Sequence, residues 1–168
     1  VESYPDDVKA IYEAGHDLGN HSENHKNMSQ LSVEECKSEL QQVHDKVKEI
    51  TGYDMFLFRP PYGDYDNEVI TTAREMGYYP IQWDVDSLDW KNYGGSSIVQ
   101  TVTEHKHLGN GSIILMHNGA TYTADALETV INSLRDQGYE IVPISELIHR
   151  DNYHMDHEGR QISEQTEK

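Results

Sequence analysis

Residues 55–63 read Met-Phe-Leu-Phe-Arg-Pro-Pro-Tyr-Gly, an apolar run that passes directly into a turn. The four residues Met55 to Phe58 predict a short buried strand, because an apolar run of this length beside turn residues is typical of a strand covered on both faces. The two prolines fix their own φ angles and restrict the residue before each of them. We therefore predict that Arg59 and Tyr62 lie in a stiff turn at the carboxyl end of a buried strand.

Predicted helices lie on both sides of this strand. Before it, Ser32 and Glu35 form a capping box, and apolar residues then recur at three- and four-residue spacing as far as Gly52. After it, Asp66 is predicted to cap a helix that ends at Gly77. Helix, strand and helix therefore alternate around the turn.

The alternation continues in both directions along the chain. A helix is predicted from Pro5 to Gly15, and two more follow near residues 97–105 and 126–134. Strands that alternate with helices predict an α/β fold with a mainly parallel sheet or barrel. The other predicted strands are residues 17–20, 79–85, 113–116 and 139–142.

The chain is long enough for one domain. It has 168 residues, of which 36% are hydrophobic, so it can bury a core of its own. We assign residues 1–150 to this domain. Residues 151–168 lack apolar periodicity and predict a disordered polar tail. The histidines near this tail, His149, His154 and His157, have no spacing that indicates a metal site.

The net charge of -17 argues against binding to nucleic acid or to an anionic membrane surface, because both need clustered Lys and Arg. A neutral or cationic partner fits better. No apolar run is long enough to cross a bilayer, so no membrane insertion is expected. The single cysteine, Cys36, lies on the apolar face of the predicted helix that ends at Gly52, which predicts a packed core residue and excludes an intrachain disulfide.

Four polar clusters follow predicted strands, where α/β folds gather functional groups. In the first, His21 and His25 are four residues apart, so on one helical turn their rings would project from the same face and hold one metal ion. The residues alone also allow a pair of loop histidines bonded to water or backbone.

The second cluster is the turn from Arg59 to Gly63. A guanidinium held by stiff backbone can orient a carboxylate, and the Tyr62 backbone N–H, unlike those of the prolines, can donate to an oxyanion. An ordinary tight turn, with Arg59 in a structural ion pair, is the alternative.

The third and fourth clusters are Asp86 to Trp90 and His117. A carboxylate near a histidine can keep it protonated, and an exposed indole can stack on a sugar ring. His117 ends an apolar strand, the placement that a general acid requires. A solvated acidic loop and a structural histidine are the alternatives.

Taken in order, these clusters resemble the motifs of the polysaccharide deacetylases of carbohydrate esterase family 4, the NodB homology domain. The family's His-Ser/Thr-x-x-His motif resembles residues 21–25, and its Arg-Pro-Pro-Tyr-Gly motif is unaltered at residues 59–63. Its Asp-Ser-x-Asp-Trp motif resembles residues 86–90, and its Leu-x-His motif resembles residues 115–117. The resemblance covers about Tyr4 to Ile148 and implies an incomplete (β/α) barrel.

The resemblance implies metal-dependent hydrolysis of N-acetyl groups in acetylated amino-sugar polymers such as peptidoglycan or chitin. His21 and His25 would bind a divalent metal ion, most often zinc, which polarises the acetamide carbonyl and a water molecule. Arg59 would position the catalytic base. The Tyr62 backbone N–H would donate to the oxyanion.

The remaining implied roles concern proton transfer and substrate contact. His117, tuned by Asp86, would protonate the leaving amine. Leu115 would line the pocket for the acetyl methyl group, while Trp90 and Pro60 would contact the glycan. An enzyme with this activity is expected outside the cytoplasm, since family members act on extracellular glycans.

The family's first motif, a Thr-Phe-Asp-Asp segment that supplies the catalytic base and a third metal ligand, has no counterpart in these residues. Asp6 and Asp7 do not replace it, because carboxylates in a first helical turn are explained by the helix dipole. We therefore expect an incomplete barrel whose first strands are missing, with an open seam that favours self-association.

Two function classes follow from the resemblance. One is a deacetylase enzyme, and the other is a non-catalytic remnant that binds carbohydrate or serves in assembly. An unrelated α/β metal hydrolase would not explain the turn at residues 59–63.

Overall fold

The computed structural model describes residues 1–164, and these residues form an α/β structure. The helices contain more residues than the strands, because each strand has only two or three residues. The elements in chain order are α1 (Pro5–Glu13), α2 (Val33–Thr51), β1 (Leu57–Phe58), α3 (Asn67–Glu75), β2 (Tyr79–Pro80), β3 (Val85–Asp86), α4 (Gly95–Thr103), β4 (Ile114–Leu115), α5 (Thr123–Asp136), α6 (Ile144–Leu147), β5 (Tyr153–Met155) and β6 (Gln161–Ser163).

The chain divides into two compact units. The first contains Val1–Gln82 and the segment that starts at His149, and the second is Trp83–Ile148. In the first unit β1 pairs in parallel with β2, and Asn20 forms an isolated parallel bridge with Phe58. In the second unit β3 pairs in parallel with β4. The predicted α/β class with parallel pairing is confirmed, and no closed barrel forms within residues 1–164.

Helix α2 supplies more buried apolar residues to the core of the first unit than any other element. Ser32 accepts a hydrogen bond from the Glu35 backbone N–H, and the Glu35 carboxylate accepts one from the Ser32 N–H, so both halves of the predicted capping box are present. Its buried face, spaced by three and four residues, packs against Phe58 and α3. The buried apolar residues of α2 are Cys36, Leu40, Val43 and Val47.

The second unit has a separate core. Helices α4 and α5 pack against each other, and α4 also packs against β3, whose Val85 belongs to the same buried cluster. The other residues of this core recur every fourth residue along the two helices, so each helix turns one face toward it. They are Ile98, Val102, Ala126, Val130 and Leu134. None of the helices in the described part of the chain combines the length and apolar character needed to cross a bilayer.

Three predicted strands differ from the structure. Residues 17–20 contribute only the bridge at Asn20, and residues 79–85 yield two separate short strands, β2 and β3. Residues 139–142 form no strand and lead instead into α6. Apolar character alone predicted these strands, but a strand also needs a neighbour that accepts and donates its backbone hydrogen bonds.

The predicted disordered tail is wrong for the described residues. β5 and β6 form an antiparallel hairpin. The Arg150 guanidinium lies over the Phe56 ring, 4.6 Å from its centroid, and Arg74 Nη2 donates to the Tyr153 hydroxyl at 3.3 Å. The segment that starts at His149 is held against the rest of the first unit by these polar and aromatic contacts. Contacts of this kind do not require apolar periodicity in the sequence. Residues 165–168 of the predicted tail lie outside the described residues.

The capping box of α2 can be tested by substitution. We expect Ser32→Ala to lower the free energy of unfolding by about 1 kcal/mol, because the variant loses the side-chain acceptor for the first turn. Ser38→Ala, in the middle of the same helix, is the matched control and should change stability little, since alanine has the higher helix propensity. Urea titration followed by circular dichroism measures both. Equal effects of the two substitutions would contradict the role of the cap.

Candidate functional site

The first cluster of polar groups lies where two parallel segments of the first unit end. The Asn20 N–H donates to the Leu57 carbonyl at 2.8 Å, and the Arg59 N–H donates to the Asn20 carbonyl at 2.9 Å. His21 follows the first segment and Arg59 follows the second. Because carboxyl ends of parallel segments meet at one edge, the sequence-distant residues His21 and Arg59 become neighbours.

The Arg59 carbonyl orients the His21 ring. His21 Nδ1 lies 2.5 Å from the Arg59 carbonyl oxygen. A carbonyl oxygen only accepts hydrogen bonds, so Nδ1 carries the hydrogen and donates it. Nε2 then holds the lone pair that can bind a metal ion, which is the arrangement in which an outer partner sets the tautomer of a metal-binding histidine.

His21 and His25 come together in a loop, and not on the helical turn that the spacing predicted. Ser22 and His25 have φ values of 65° and 52°, in the left-handed region, so the backbone doubles back. The His25 N–H donates to Ser22 Oγ at 3.0 Å. The two imidazole rings meet edge to face with centroids 4.8 Å apart. The pairing that the spacing predicted is therefore present, with a different local cause.

Tyr62 lies beside the histidine pair. Its ring is 65% exposed and meets the His25 ring edge to face, with centroids 4.6 Å apart. Tyr62 also has a positive φ of 60°, which turns its backbone within the short helix Pro61–Gly63. Among the described residues no acceptor is paired with the Tyr62 N–H, so this donor can serve a bound oxyanion.

Arg59 and Pro60 occupy the less exposed side of the same turn. Burial lowers the pKa of the Arg59 guanidinium, although arginine remains protonated at neutral pH. Pro60 is buried. The expected contact between Pro60 and substrate is not supported by this placement, because a buried ring has little surface to offer. Pro60 acts instead as a stiff support of the turn.

His21 borders a cavity of about 350 Å³ within the first unit. Val47 of α2 and Met55 form part of its apolar wall, and Ser22 and Glu23 belong to its polar lining. Neither His25 nor Tyr62 lines this cavity, so only the first histidine of the pair borders it.

The histidine pair fits a divalent metal ion by its donor chemistry. Two imidazoles stand side by side, and the tautomer of His21 is set by a backbone carbonyl. Within residues 1–164 no third histidine, cysteine or carboxylate completes a group that could hold a metal ion. His21 and His25 could supply only two ligands, so a metal ion bound to them would take the rest of its coordination from water or from other groups.

The second cluster lies in the second unit, where β3 and β4 end. The Ser87 N–H donates to the Leu115 carbonyl at 3.2 Å, which brings the residues after β3 alongside those after β4. His117 Nδ1 is 2.7 Å from Asp89 Oδ1, and the His117 backbone N–H donates to Asp89 Oδ2, also at 2.7 Å. Asp89 therefore holds both the ring and the backbone of His117.

The assignment of Asp86 as the partner of His117 is wrong. Asp86 Oδ1 accepts a hydrogen bond from the Leu88 N–H at 2.9 Å and caps the turn after β3. Leu88 has a φ of 57°, and this left-handed residue turns the chain so that Asp89 points at His117. The motif contains two aspartates, and only the direction of the turn decides which one reaches the histidine.

Asp89 is fully buried and ionised. Its burial raises the pKa of the carboxyl, but hydrogen bonds from the His117 backbone, the His117 ring and the Thr123 hydroxyl outweigh this and lower the pKa below its ordinary value. Because an ionised carboxylate only accepts, His117 Nδ1 carries a hydrogen, and Nε2 is the nitrogen that can exchange a proton with a ligand. The His117 side chain is 38% exposed.

Leu115 and Trp90 also belong to the second unit. Leu115 lies on β4 and is 7% exposed, so only a small part of its side chain can contact a ligand. The Trp90 side chain follows Asp89 and is 54% exposed, with Lys91 Nζ 5.1 Å from its ring centroid. Trp90 can therefore present an aromatic face at the surface next to the residue that holds His117.

The fold and the two clusters together define a class of protein. It is an α/β protein with one histidine pair that is suited to a divalent metal ion and another histidine, held by a carboxylate, that is suited to proton transfer. A family model described as polysaccharide deacetylase matches residues 1–81. The peptidoglycan-N-acetylmuramic acid deacetylase PdaC of Bacillus subtilis is 35% identical over 147 residues, which are 88% of this chain and 30% of that protein.

Two further similarities are informative. A peptidoglycan-N-acetylglucosamine deacetylase of Bacillus cereus is 36% identical over 153 residues, covering 88% of this chain and 70% of the relative. A crystal structure of a carbohydrate esterase family 4 pseudoenzyme from Bacillus anthracis is 35% identical, with a TM-score of 0.82 over 88% of this chain and 51% of that one. A mutant of that pseudoenzyme is described as having restored enzymatic activity.

This chain belongs to the polysaccharide deacetylase family. Its fold is of the incomplete-barrel type of these deacetylases, as its sequence predicted. The chain spans between 30% and 57% of the length of the first curated relatives that it matches.

The buried carboxylate of Asp89 should make stability depend on pH. Its pKa is lowered in the folded protein, so its stabilising effect is complete above the ordinary carboxyl value of about 4 and is lost as the pH falls below that value. We expect Asp89→Asn to lower the free energy of unfolding by about 1–3 kcal/mol at pH 7. The difference in the free energy of unfolding between Asp89→Asn and the parent should shrink at acidic pH, because the parent then loses the charge of Asp89.

Urea unfolding between pH 7 and pH 3 measures this difference. Asp86→Asn is the matched control, because the asparagine side chain can still accept from the Leu88 N–H. A stability difference for Asp89→Asn that stays constant over this range would contradict the assigned ionised carboxylate.

Proposed function

We propose that this protein hydrolyses N-acetyl groups of acetylated amino-sugar polymers with the help of a divalent metal ion, most often zinc in this family. The observation that carries the proposal is the histidine pair: His21 is oriented by the Arg59 carbonyl, and His25 stands against it. The relatives named as peptidoglycan deacetylases support the same reaction class.

His21 and His25 would hold the metal ion, which when bound polarises the acetamide carbonyl and a water molecule. The Tyr62 backbone N–H is available to donate to the oxygen that becomes negatively charged. Arg59 is assigned by family resemblance to orient the catalytic base. A rigid turn suits both tasks, because it keeps donors in place while charge develops.

His117 is the proposed general acid. Asp89 holds its Nδ1, so Nε2 can give a proton to the amine that leaves the acetyl group. The proton that this step requires would be carried on Nε2, because Nδ1 is held by Asp89. In this proposal Asp89, and not Asp86, is the partner of His117.

The substrate class follows from chemistry shared with the relatives. An exposed indole at Trp90 suits the face of a sugar ring, and Leu115 offers limited apolar contact for an acetyl methyl group. Peptidoglycan is the polymer best supported, because two relatives are named for peptidoglycan sugars. Action on such a polymer implies a location outside the cytoplasm. Self-association through an open seam stays a prediction.

A non-catalytic role is the second candidate. The similarity to a family pseudoenzyme supports it, since a protein with a similar fold and 35% sequence identity is inactive. In this case the chain would bind carbohydrate or metal without releasing acetate. An acetate-release assay on acetylated glycan oligomers, with zinc added, distinguishes the two candidates.

The metal site can be tested by calorimetry. We expect the parent chain to bind zinc weakly, because two imidazoles leave the rest of the coordination to water. The double substitution His21→Ala/His25→Ala should abolish this binding. His105→Ala/His107→Ala is the matched control, since those two rings also lie close, with centroids 5.3 Å apart. Zinc uptake that survives in the first variant would refute the site.

The general acid can be tested in a form of the protein that releases acetate. We expect His117→Ala to lower kcat by about a hundredfold or more, the usual contribution of general acid catalysis, with zinc content unchanged. The exposed His157→Ala serves as the control. A His117→Ala variant that keeps most of the parental kcat would remove this residue from the mechanism.

A further inference from the structure

Glu39 is a buried carboxylate that the proposed reaction does not use. It lies on α2 among apolar residues and is 3% exposed. A charged side chain is seldom buried unless donors satisfy both of its oxygens, because the loss of hydration costs several kcal/mol. The hydrogen-bond donors around Glu39 therefore explain why the apolar face of α2 carries a charged residue at this position.

Three donors to Glu39 come from the loop that carries the histidine pair. The Asn24 backbone N–H donates to Oε2 at 2.7 Å, and Asn24 Nδ2 donates to Oε1 at 2.9 Å. Lys26 Nζ lies 3.0 Å from Oε1. Asn24 and Lys26 are the two neighbours of His25 in the chain. Glu39 thus holds the backbone and side chain of the residue before His25, one proposed metal ligand, and contacts the side-chain ammonium of the residue after it.

The beginning of the same loop is also fastened to α2. Asn20 Nδ2 donates to the Leu40 carbonyl at 2.7 Å, and Asn20 Oδ1 accepts from the Ser22 N–H at 3.0 Å. Glu39 and Leu40 are consecutive, so one position on α2 holds both ends of the segment from Asn20 to Lys26.

This segment needs an external support. Ser22 and His25 both have positive φ. A non-glycine residue held there costs about 1–3 kcal/mol, and the conformation persists only where other contacts outweigh that cost. The internal hydrogen bond from the His25 N–H to Ser22 Oγ is exposed, so water competes with it. The hydrogen bonds between Glu39 and Asn24 are partly buried, and the Glu39 side chain is only 4% exposed, so water competes with them less.

We infer that Glu39 is a positioning residue that fixes the backbone at Asn24 and so holds His25 beside His21 before any metal ion binds. The inference rests on the metal site proposed above. Burial raises the pKa of Glu39, but hydrogen bonds from Asn24 and then Lys26 outweigh it and lower the pKa, so the carboxylate is ionised at neutral pH. An ionised carboxylate accepts from all three donors at once.

The donor and acceptor pattern allows an exchange experiment. Glu39→Gln keeps one acceptor oxygen but replaces the other with an amide donor and removes the negative charge. The contact with Lys26 is then weakened, and the side-chain contact with Asn24 re-forms only if the Asn24 amide rotates. In the double variant Glu39→Gln/Asn24→Asp the side-chain contact is reversed, with the amide on α2 and the carboxylate on the loop. The contact with the Asn24 backbone N–H can also re-form. The double variant is therefore expected to restore the position of the loop, although neither original side chain is present.

We expect Glu39→Gln to weaken zinc binding about tenfold to a hundredfold in calorimetry, as loss of an outer partner of a metal ligand does. The double variant should recover most of the affinity. Amide hydrogen exchange of Asn24 and His25 in the metal-free chain should follow the same order: slow in the parent, fast in Glu39→Gln, slow in the double variant. Glu34→Gln is the matched control, because Glu34 lies on α2 with its side chain 84% exposed.

Zinc affinity and loop exchange in Glu39→Gln that equal those of the parent would overturn the inference. A double variant that stays as weak as Glu39→Gln would overturn it as well, since a general loss of stability is not cured by the exchange. If Glu39→Gln does not fold cooperatively, Asn24→Ala removes only the side-chain contact and should still speed exchange at His25. A parent that binds no zinc would refute the metal site, and hydrogen exchange alone would then decide whether Glu39 orders the loop.

Discussion

The buried side chain of Asn20 joins three parts of the first unit, and the histidine pair depends on it. Its backbone bridges to β1, while its side-chain amide donates to the Leu40 carbonyl of α2 and to the Tyr78 hydroxyl. Asparagine can make these contacts because its amide is both donor and acceptor. An apolar residue of similar volume would leave the Leu40 carbonyl without this partner. The segment that follows Asn20 therefore starts from a fixed point.

The two clusters share one design, although they lie in different units. In each cluster, buried polar side chains form hydrogen bonds with the segment that carries a more exposed histidine. Glu39 and Asn20 bond to the loop of His21 and His25, and Asp89 bonds to His117. Buried polar groups with all partners satisfied hold a unique geometry, because any shift leaves a donor or acceptor unpaired at a cost of about 1–3 kcal/mol. The exposed histidines remain available to a ligand.

Membership of the polysaccharide deacetylase family leaves the activity of an individual protein open. A relative with a TM-score of 0.82 to this chain is a pseudoenzyme, and a mutant of it has restored activity. The family therefore contains at least one inactive member whose activity can be restored by mutation. In this chain the two histidine rings lie side by side, and within residues 1–164 no third histidine, cysteine or carboxylate joins them in a group that could hold a metal ion.

The sequence by itself determined the α/β class, the capped helix α2, the helix α3 after Asp66 and the motifs that identify the family, because these depend on periodicity, caps and short fixed spacing. It also placed His117 at a strand end. Only the tertiary structure decided that Asp89, and not Asp86, holds that histidine. The left-handed turn at Leu88 makes this choice, and spacing does not reveal it. The support from Glu39, the loop conformation of His25 and the hairpin after Arg150 likewise depend on contacts between residues far apart in sequence, which no local pattern encodes.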